Sequence, residues 1–399
     1  MKIKYSAIFL LLFLISCGAA QSPVDLPQST VQYPAQPYSM VGVGDFINGM
    51  SLHIESLPDG NWVVSQKEGS IVLMDKDFKI FNHDSIPVET YLETGLYSIV
   101  ADPNFFENHS VYALFTTSDD SPPCENNYCQ HLVRYFLDEH GESPLQNPEL
   151  IEVFPMIDRW GAHNGGGLAF GDDGFLYVAI GDGEDSPTAT VKGSQDLASP
   201  LGKVFRVDTV TFDSQIAAMG FRNPFTMISV PGGVLVGDVG FDTYEEADFL
   251  PSGSGGIVNS GWPLEEGPGT NFSSPTFSLK HCDETYKDED PFGHEESKAL
   301  TIKNHNGVVH ECGGEIITVA GFYPAGGPDP YNGKFDNHVI WSEPYDGYIR
   351  TFAIEGDGVS DHHHIAHDPG LVSIAKGPDG YLYGVSMFNS NYVLKLTSE

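Results

Sequence analysis

Residues 163–183 read HNGGGLAFGDDGFLYVAIGDG: a histidine, a glycine run, an apolar stretch, an Asp-Asp-Gly turn, a second apolar stretch and a closing Gly-Asp-Gly. Asp-Gly between two apolar stretches is a strong short-range sign of a β-hairpin, because its backbone twist matches that of paired strands. Antiparallel strands joined by a tight turn bring their far ends together, so His163 and Asp182 should lie side by side. Glycines on both flanks leave room for a flat ligand to approach the backbone. Two readings follow. An imidazole oriented by a carboxylate beside an open site is what a general base needs. Alternatively, the two side chains only hydrogen-bond each other to close a hairpin.

The same unit recurs along the chain. Pro58-Asp59-Gly60-Asn61-Trp62-Val63-Val64 and Pro378-Asp379-Gly380-Tyr381-Leu382-Tyr383-Gly384 repeat the turn and the aromatic, apolar strand after it. Weaker versions begin at His109, Gly232 and Asn337. Helical periodicity is scarce, and six such units predict an all-β, six-bladed β-propeller over residues 41–399. Radial blades gather their loops around one channel mouth, where His163, Arg222 and Phe322 are expected to converge. The stretch from about 253 to 310 is poor in strand signals and rich in charge. It predicts a long insertion between blades, stapled by Cys282–Cys312, and a candidate lid.

The N-terminus reads differently. Lys2 and Lys4 precede an apolar core from Ile8 to Ile15, so residues 1–16 form a signal peptide. Leu14-Ile15-Ser16-Cys17 resembles a lipobox, which makes Cys17 the acylated first residue of a lipoprotein; ordinary cleavage near Ala20 is the alternative. Residues 17–40, rich in Pro, Gln and Ser, form a tether. The expected place is the bacterial cell envelope, periplasmic or surface-exposed. Without Cys17, the remaining cysteines fit an oxidising compartment, with Cys124–Cys129 and Cys282–Cys312 as pairs. A zinc site using His281 and His310 is the competing use of those thiols, although the tight paired ligand spacing is missing. Net charge is −36, and −38 once Lys2 and Lys4 are removed. Such a surface repels phosphate backbones and excludes nucleic-acid binding.

Taken in order, several further segments carry a resemblance. They are Gly95-Leu96-Tyr97-Ser98-Ile99-Val100-Ala101-Asp102-Pro103, the hairpin above, residues 194–208 ending Gly202-Lys203-Val204-Phe205-Arg206-Val207-Asp208, Gly220-Phe221-Arg222-Asn223-Pro224, and Gly237-Asp238-Val239-Gly240-Phe241. Over about residues 41–396 the chain resembles the glucose/sorbosone dehydrogenase family. The resemblance implies a sugar dehydrogenase that uses pyrroloquinoline quinone and calcium. It makes His163 the base that takes the proton of the sugar hydroxyl, and Asp182 the carboxylate that orients it. Arg222 and Asn223 match residues at the quinone carbonyls, with Phe322 and Tyr345 also placed against the cofactor. The backbone carbonyls of Gly240 and Phe241 match the calcium ligands.

The match fails at the cofactor's distal carboxylates. The positions that carry cations in the family fall near Tyr345, Gly370 and Val372, all uncharged. Arg350 and Lys376 are the nearest cations in sequence. Some animal members of the wider family bind without catalysis, so a glycan- or protein-binding propeller that has lost the cofactor is the rival reading. One further constellation, Asp361-His362-His363-His364-Ile365-Ala366-His367-Asp368, is either a transition-metal site or a solvated loop.

Overall fold

Each of the six turns closes the first hairpin of a blade in the computed structural model, whose sheets number six. The structure describes residues 37–398 apart from 119–123, 125–127, 142, 157–160, 184–192, 242, 254, 269–271, 274, 282–299, 305–306, 311, 314–315, 346, 356–357 and 389–390. For residues 279–281, 300–304, 307–310, 312–313, 355 and 358 it describes the backbone alone. The signal segment, Cys17 and the tether up to residue 36 lie outside the described residues, as does Cys282.

The first strands of blades 1 to 6 are Ser51–Ser56, Leu96–Ala101, Gly165–Phe170, Pro224–Val230, Thr318–Tyr323 and Leu371–Lys376. Each packs against the first strands of its two neighbours, which closes a ring around a central channel. Blade 6 is completed by the N-terminal strand Tyr38–Val43, paired antiparallel with Val393–Ser398, so the two ends of the propeller are joined in one sheet.

All six first strands carry a register shift near their start, at Ser51/His53, Leu96/Ser98, Gly165/Leu168, Pro224/Thr226, Val319/Gly321 and Leu371/Ser373. Such a bulge leaves one residue out of the ladder and bends the strand. In three blades a hydroxyl just past the shift bridges to the next blade. Ser98 Oγ donates to the Gly166 carbonyl at 2.9 Å, Thr226 Oγ1 accepts the Val319 N–H at 2.9 Å, and Ser373 Oγ accepts the Ile54 N–H at 3.2 Å. Blades 2, 4 and 6 are thereby tied to blades 3, 5 and 1. The rest of the core consists of apolar layers between blades, such as Leu235, Phe277, Val319 and Trp341 between blades 4 and 5.

The expected insertion proves to be partly blade. Phe277–His281 is the fourth strand of blade 4, and the strands Leu300–Asn304 and Gly307–His310 extend the same sheet outward. Short strands flanked by Gly, Ser and charge give too little apolar alternation to be read. Cys124 and Cys129 form a disulfide, with Cys129 opening the third strand of blade 2. Among the described residues no helix is long and apolar enough to cross a membrane.

Burial pushes the carboxyls of Glu55, on blade 1's first strand, and Asp368 up to about 7. Burial drives His53 and His364 down to about 4 and His362 to about 3. The raised carboxyls favour the folded state at low pH, a contribution lost as pH rises through about 7. The depressed histidines favour it above their ordinary 6.5 and lose that contribution as pH falls toward 4. The two effects oppose each other on the acid side, and only the carboxyls act above neutrality. The melting temperature should therefore fall between pH 6.5 and 8, and Glu55→Gln should flatten that fall. A flat parental profile over this interval would contradict the assignment.

Candidate active site

One end of the propeller is built from the loops that precede each first strand and follow each second strand. His163 precedes the first strand of blade 3 and Asp182 follows its second, Leu176–Ile180. His163 Nδ1 lies 2.9 Å from Asp182 Oδ1, and both side chains are buried, Asp182 completely. A carboxylate only accepts, so Nδ1 is the donor of this bond and Nε2 is the ring nitrogen left to exchange a proton with a ligand. The His163 backbone is left-handed, with φ 50°, and its N–H donates to Glu93 Oε2 at 2.7 Å. A Cβ at position 181 would sit 1.9 Å from the His163 carbonyl oxygen, so only glycine lets the hairpin's two ends close this tightly.

The second oxygen of Asp182 accepts the Trp262 indole N–H at 2.7 Å. Trp262 arrives from another blade. After the third strand of blade 4 ends at Pro251, the chain crosses to blade 3, where Val258–Asn259 pairs in parallel with Ala218 and Met219. The Trp262 N–H then donates to the Gly220 carbonyl at 2.9 Å, and Gln195 Nε2 donates to the Trp262 carbonyl at 2.7 Å.

Arg222 and Asn223 open blade 4. Their N–H groups donate to the two oxygens of Asp238 at 3.0 and 2.6 Å. Burial first, then the nearby Asp248, pushes the Asp238 carboxyl well above the usual carboxylate range. Asn223 Oδ1 accepts the Gly165 N–H at 2.9 Å, tying blade 4 to the glycine run. The Arg222 guanidinium faces the Phe241 and Trp262 rings, 5.5 and 5.7 Å from their centroids. Its Nη1 donates to the Val239 and Gly240 carbonyls at 3.0 and 2.6 Å. Its Nε is buried and has no hydrogen-bond partner among the described residues.

The Gly240–Tyr244 loop is held from the other side by acids. Glu245 accepts the Gly240 N–H at 3.1 Å, and Glu266 Oε1 accepts the N–H groups of Phe241, Thr243 and Tyr244 at 2.7, 3.3 and 3.2 Å. A Cβ at position 240 would lie 1.6 Å from the Tyr244 carbonyl oxygen, so this turn also requires glycine.

The structure thus brings together His163, Asp182, Arg222, Asn223, Gly240 and Phe241. Tyr345 lies at the same end, in the loop after blade 5's second strand, with its ring 5.5 Å from Phe388. Phe322 does not join them. It is the penultimate residue of its first strand, roughly 13 Å along from the strand's start at about 3.3 Å per residue. It packs there with the core between blades 4 and 5. Lys376 is also at that far end, donating to the Pro324 and Gly326 carbonyls at 2.9 and 2.8 Å. Arg350 lies over Trp341 and Tyr348 within blade 5. Neither cation replaces the missing distal anchors.

The histidine run is the outermost strand of blade 5, Gly358–His367, rather than a loop. His362 stacks on Trp341, and Asp361 bridges His338 and His363 at 3.2 and 2.6 Å. Among the described residues no group of three or more His, Cys, Asp or Glu side chains is arranged to hold a metal ion. The Cys282–Cys312 pair and its zinc alternative fall outside the described side chains. Glu93 and Trp262 are the residues that sequence reasoning missed; Gly261-Trp262-Pro263 is a local signal, but nothing in it points to Asp182.

A model of the Glucose / Sorbosone dehydrogenase family matches residues 49–266, more than half of the 399-residue chain. HIPL1 protein of Arabidopsis thaliana is 24% identical over 59% of this chain and 44% of its own length. Hedgehog-interacting protein of Mus musculus is 22% identical over 47% of this chain and 31% of its own. The chain thus spans less than half the length of these relatives. Aldose sugar dehydrogenase YliI of Escherichia coli is 25% identical over 76% of this chain and 77% of its own. The solved PQQ-bound form of aldose sugar dehydrogenase from Streptomyces coelicolor shares the fold, with a TM-score of 0.67 and 20% identity over 92% of this chain and 100% of that one.

Proposed function

The chain belongs to the glucose/sorbosone dehydrogenase family, and on that premise we propose that it oxidises an aldose or sugar alcohol, with His163 as the general base. The observation that carries this reading is the buried Asp182 carboxylate holding His163 Nδ1 at 2.9 Å. With Nδ1 protonated, Nε2 is the basic nitrogen that takes the proton of a sugar hydroxyl. Pyrroloquinoline quinone, when bound with calcium, supplies the hydride acceptor.

Residues of this chain fit the reactive end of that cofactor. Arg222 Nε is a buried donor without an acceptor, which a quinone oxygen would satisfy. A guanidinium there stabilises negative charge developing on that oxygen. The Gly240 and Phe241 carbonyls are oxygen-only donors of the kind calcium takes. Calcium would compete with Arg222 for the Gly240 oxygen, so the arginine is expected to swing its Nη1 away when the metal is present. The distal carboxylates would meet Tyr345, Gly370 and Val372 without a cation, so the cofactor should be held loosely and require calcium. That missing charge also favours the rival, a propeller that binds a glycan or protein without turnover, as does the similarity to Hedgehog-interacting protein.

For placement in the cell, Cys17 is proposed as a lipid-bearing N-terminus in the envelope. An acylated peptide beginning at Cys17 should appear in mass spectra of the membrane fraction; a soluble form beginning at Gln21 would refute it.

Calcium at millimolar concentration should raise the melting temperature relative to chelator, since a ligand selective for the native state stabilises by mass action. Identical midpoints with and without calcium, in the presence of the quinone, would remove the Gly240–Phe241 assignment. His163→Gln should keep the fold and quinone binding while kcat falls by roughly 10²–10⁴-fold, the usual range for a lost general base. Asp182→Asn should cost less, and Arg222→Ala should weaken quinone binding as well as rate. The test is dye reduction across a sugar panel with quinone and calcium supplied. No reduction by the parent protein would turn the assignment to the binding propeller, and unchanged turnover in His163→Gln would remove the mechanism.

A further inference from the structure

We infer that Trp262 is a positioning residue for the general base: its indole N–H fixes the rotation of the Asp182 carboxylate and, through it, the tautomer and aim of His163. The inference rests on the dehydrogenase reading for its consequence in rate, but not for its geometry.

A carboxylate on a short side chain can turn about its χ2 torsion, and that torsion is soft. Here Oδ2 takes the indole N–H at 2.7 Å and Oδ1 takes His163 Nδ1 at 2.9 Å, so two donors at opposite oxygens hold the plane. Asp182 is fully buried and Trp262 nearly so, where bonds to a charged acceptor are strong and the loss of one is costly. Removing the indole donor loosens the plane of the carboxylate, so that neither oxygen is held in line with Nδ1. The bond that favours a proton on Nδ1 then weakens.

Trp262 also touches the cation. Its ring and that of Phe241 lie side by side against Arg222, with their centroids 6.0 Å apart. One side chain therefore contacts both charged groups of the site. The strap that carries it is itself pinned to blade 3: Gln195 and Asn259 exchange reciprocal amide hydrogen bonds at 3.0 and 2.8 Å, and Gln195 reaches on to the Trp262 carbonyl. Lys203, at the start of blade 3's third strand, is fully buried and gives its ammonium to the Gly193, Ser194 and Leu201 carbonyls at 2.9, 3.0 and 2.6 Å. It thus fixes the loop on which Gln195 sits.

Trp262→Phe tests this, because it keeps a ring against Arg222 and removes only the N–H donor. With the quinone and calcium supplied, kcat should fall roughly ten- to a hundredfold, the scale of a small misplacement of a reacting group, while KM changes less than twofold. The second readout uses the protein without cofactor. In ¹⁵N spectra of histidine-labelled protein, with His163→Gln identifying the signal, the parent should show His163 as the Nδ1–H tautomer and Trp262→Phe a mixture. Full retention of the Nδ1–H tautomer in Trp262→Phe overturns the inference, whatever the rate. Should that variant fail to fold, the parent's Trp262 indole N–H must be strongly protected from exchange and lose that protection in Asp182→Ala; an indole that exchanges freely in the parent overturns it equally. If the parent reduces no dye with any sugar, the dehydrogenase reading fails while the tautomer measurement still judges Trp262.

Discussion

A carboxylate with no solvent exposure must be surrounded by donors, and Asp182 obtains them from distant parts of the chain. His163 comes from the start of blade 3, Trp262 from a strap that leaves blade 4, and the Asp182 N–H in turn donates to the Arg222 carbonyl at 2.8 Å. Leaving a buried charge without partners costs several kcal/mol, on the order of a large part of a domain's net stability. The site is therefore locked by the same bonds that let the chain fold around it. Gly181 follows from this: the two ends of the hairpin must meet closely enough for the histidine to reach the acid, and no side chain fits between them.

The strongly acidic composition acquires a structural meaning at this end. Glu93, Asp238, Glu245 and Glu266 each accept backbone N–H groups from the loops that carry His163, Arg222, Asn223, Gly240 and Phe241. Carboxylates are strong acceptors for backbone donors, and one oxygen of Glu266 serves three of them. Irregular loops have no ladder to satisfy their N–H groups, so acids in the layer beneath substitute for it.

Much of this was legible in the residues. Asp-Gly turns ahead of aromatic strands mark the first hairpin of blades 1, 3 and 6, and weaker cues at His109, Gly232 and Asn337 mark the other three. Within one hairpin, strand pairing alone sets His163 beside Asp182. What could not be read depends on contacts between blades. Trp262 reaches its acid through a two-residue parallel strand, too short to leave a periodic signal, and Glu93 meets His163 across a separation of 70 residues. Phe322 was misplaced for a different reason. Its distance along the first strand, not its blade, decides which end of the channel it faces. The histidine run reads as polar, yet His362 and His364 turn into blade 5, where stacking on Trp341 and an edge-to-face contact with Tyr348 replace solvation.

These differences bear on how the pocket divides. At blades 2 to 4 the groups suited to chemistry also hold backbone: Asn223 secures Gly165, Asp238 secures Arg222, and Asp182 secures the Trp262 strap. A substitution there removes a structural bond along with a chemical one. At blades 5 and 6 the positions where cations would meet a bound polyacid are Tyr345, Gly370 and Val372. Gly370 contributes its N–H to the Pro344 carbonyl, and its φ of 91° and a Cβ position 2.4 Å from Ser386 Oγ require glycine there. Val372 lines the channel and is itself buried. A charged side chain at Gly370 or Val372 would therefore need local rearrangement, so this side of the site is held by packing as the other is held by hydrogen bonds.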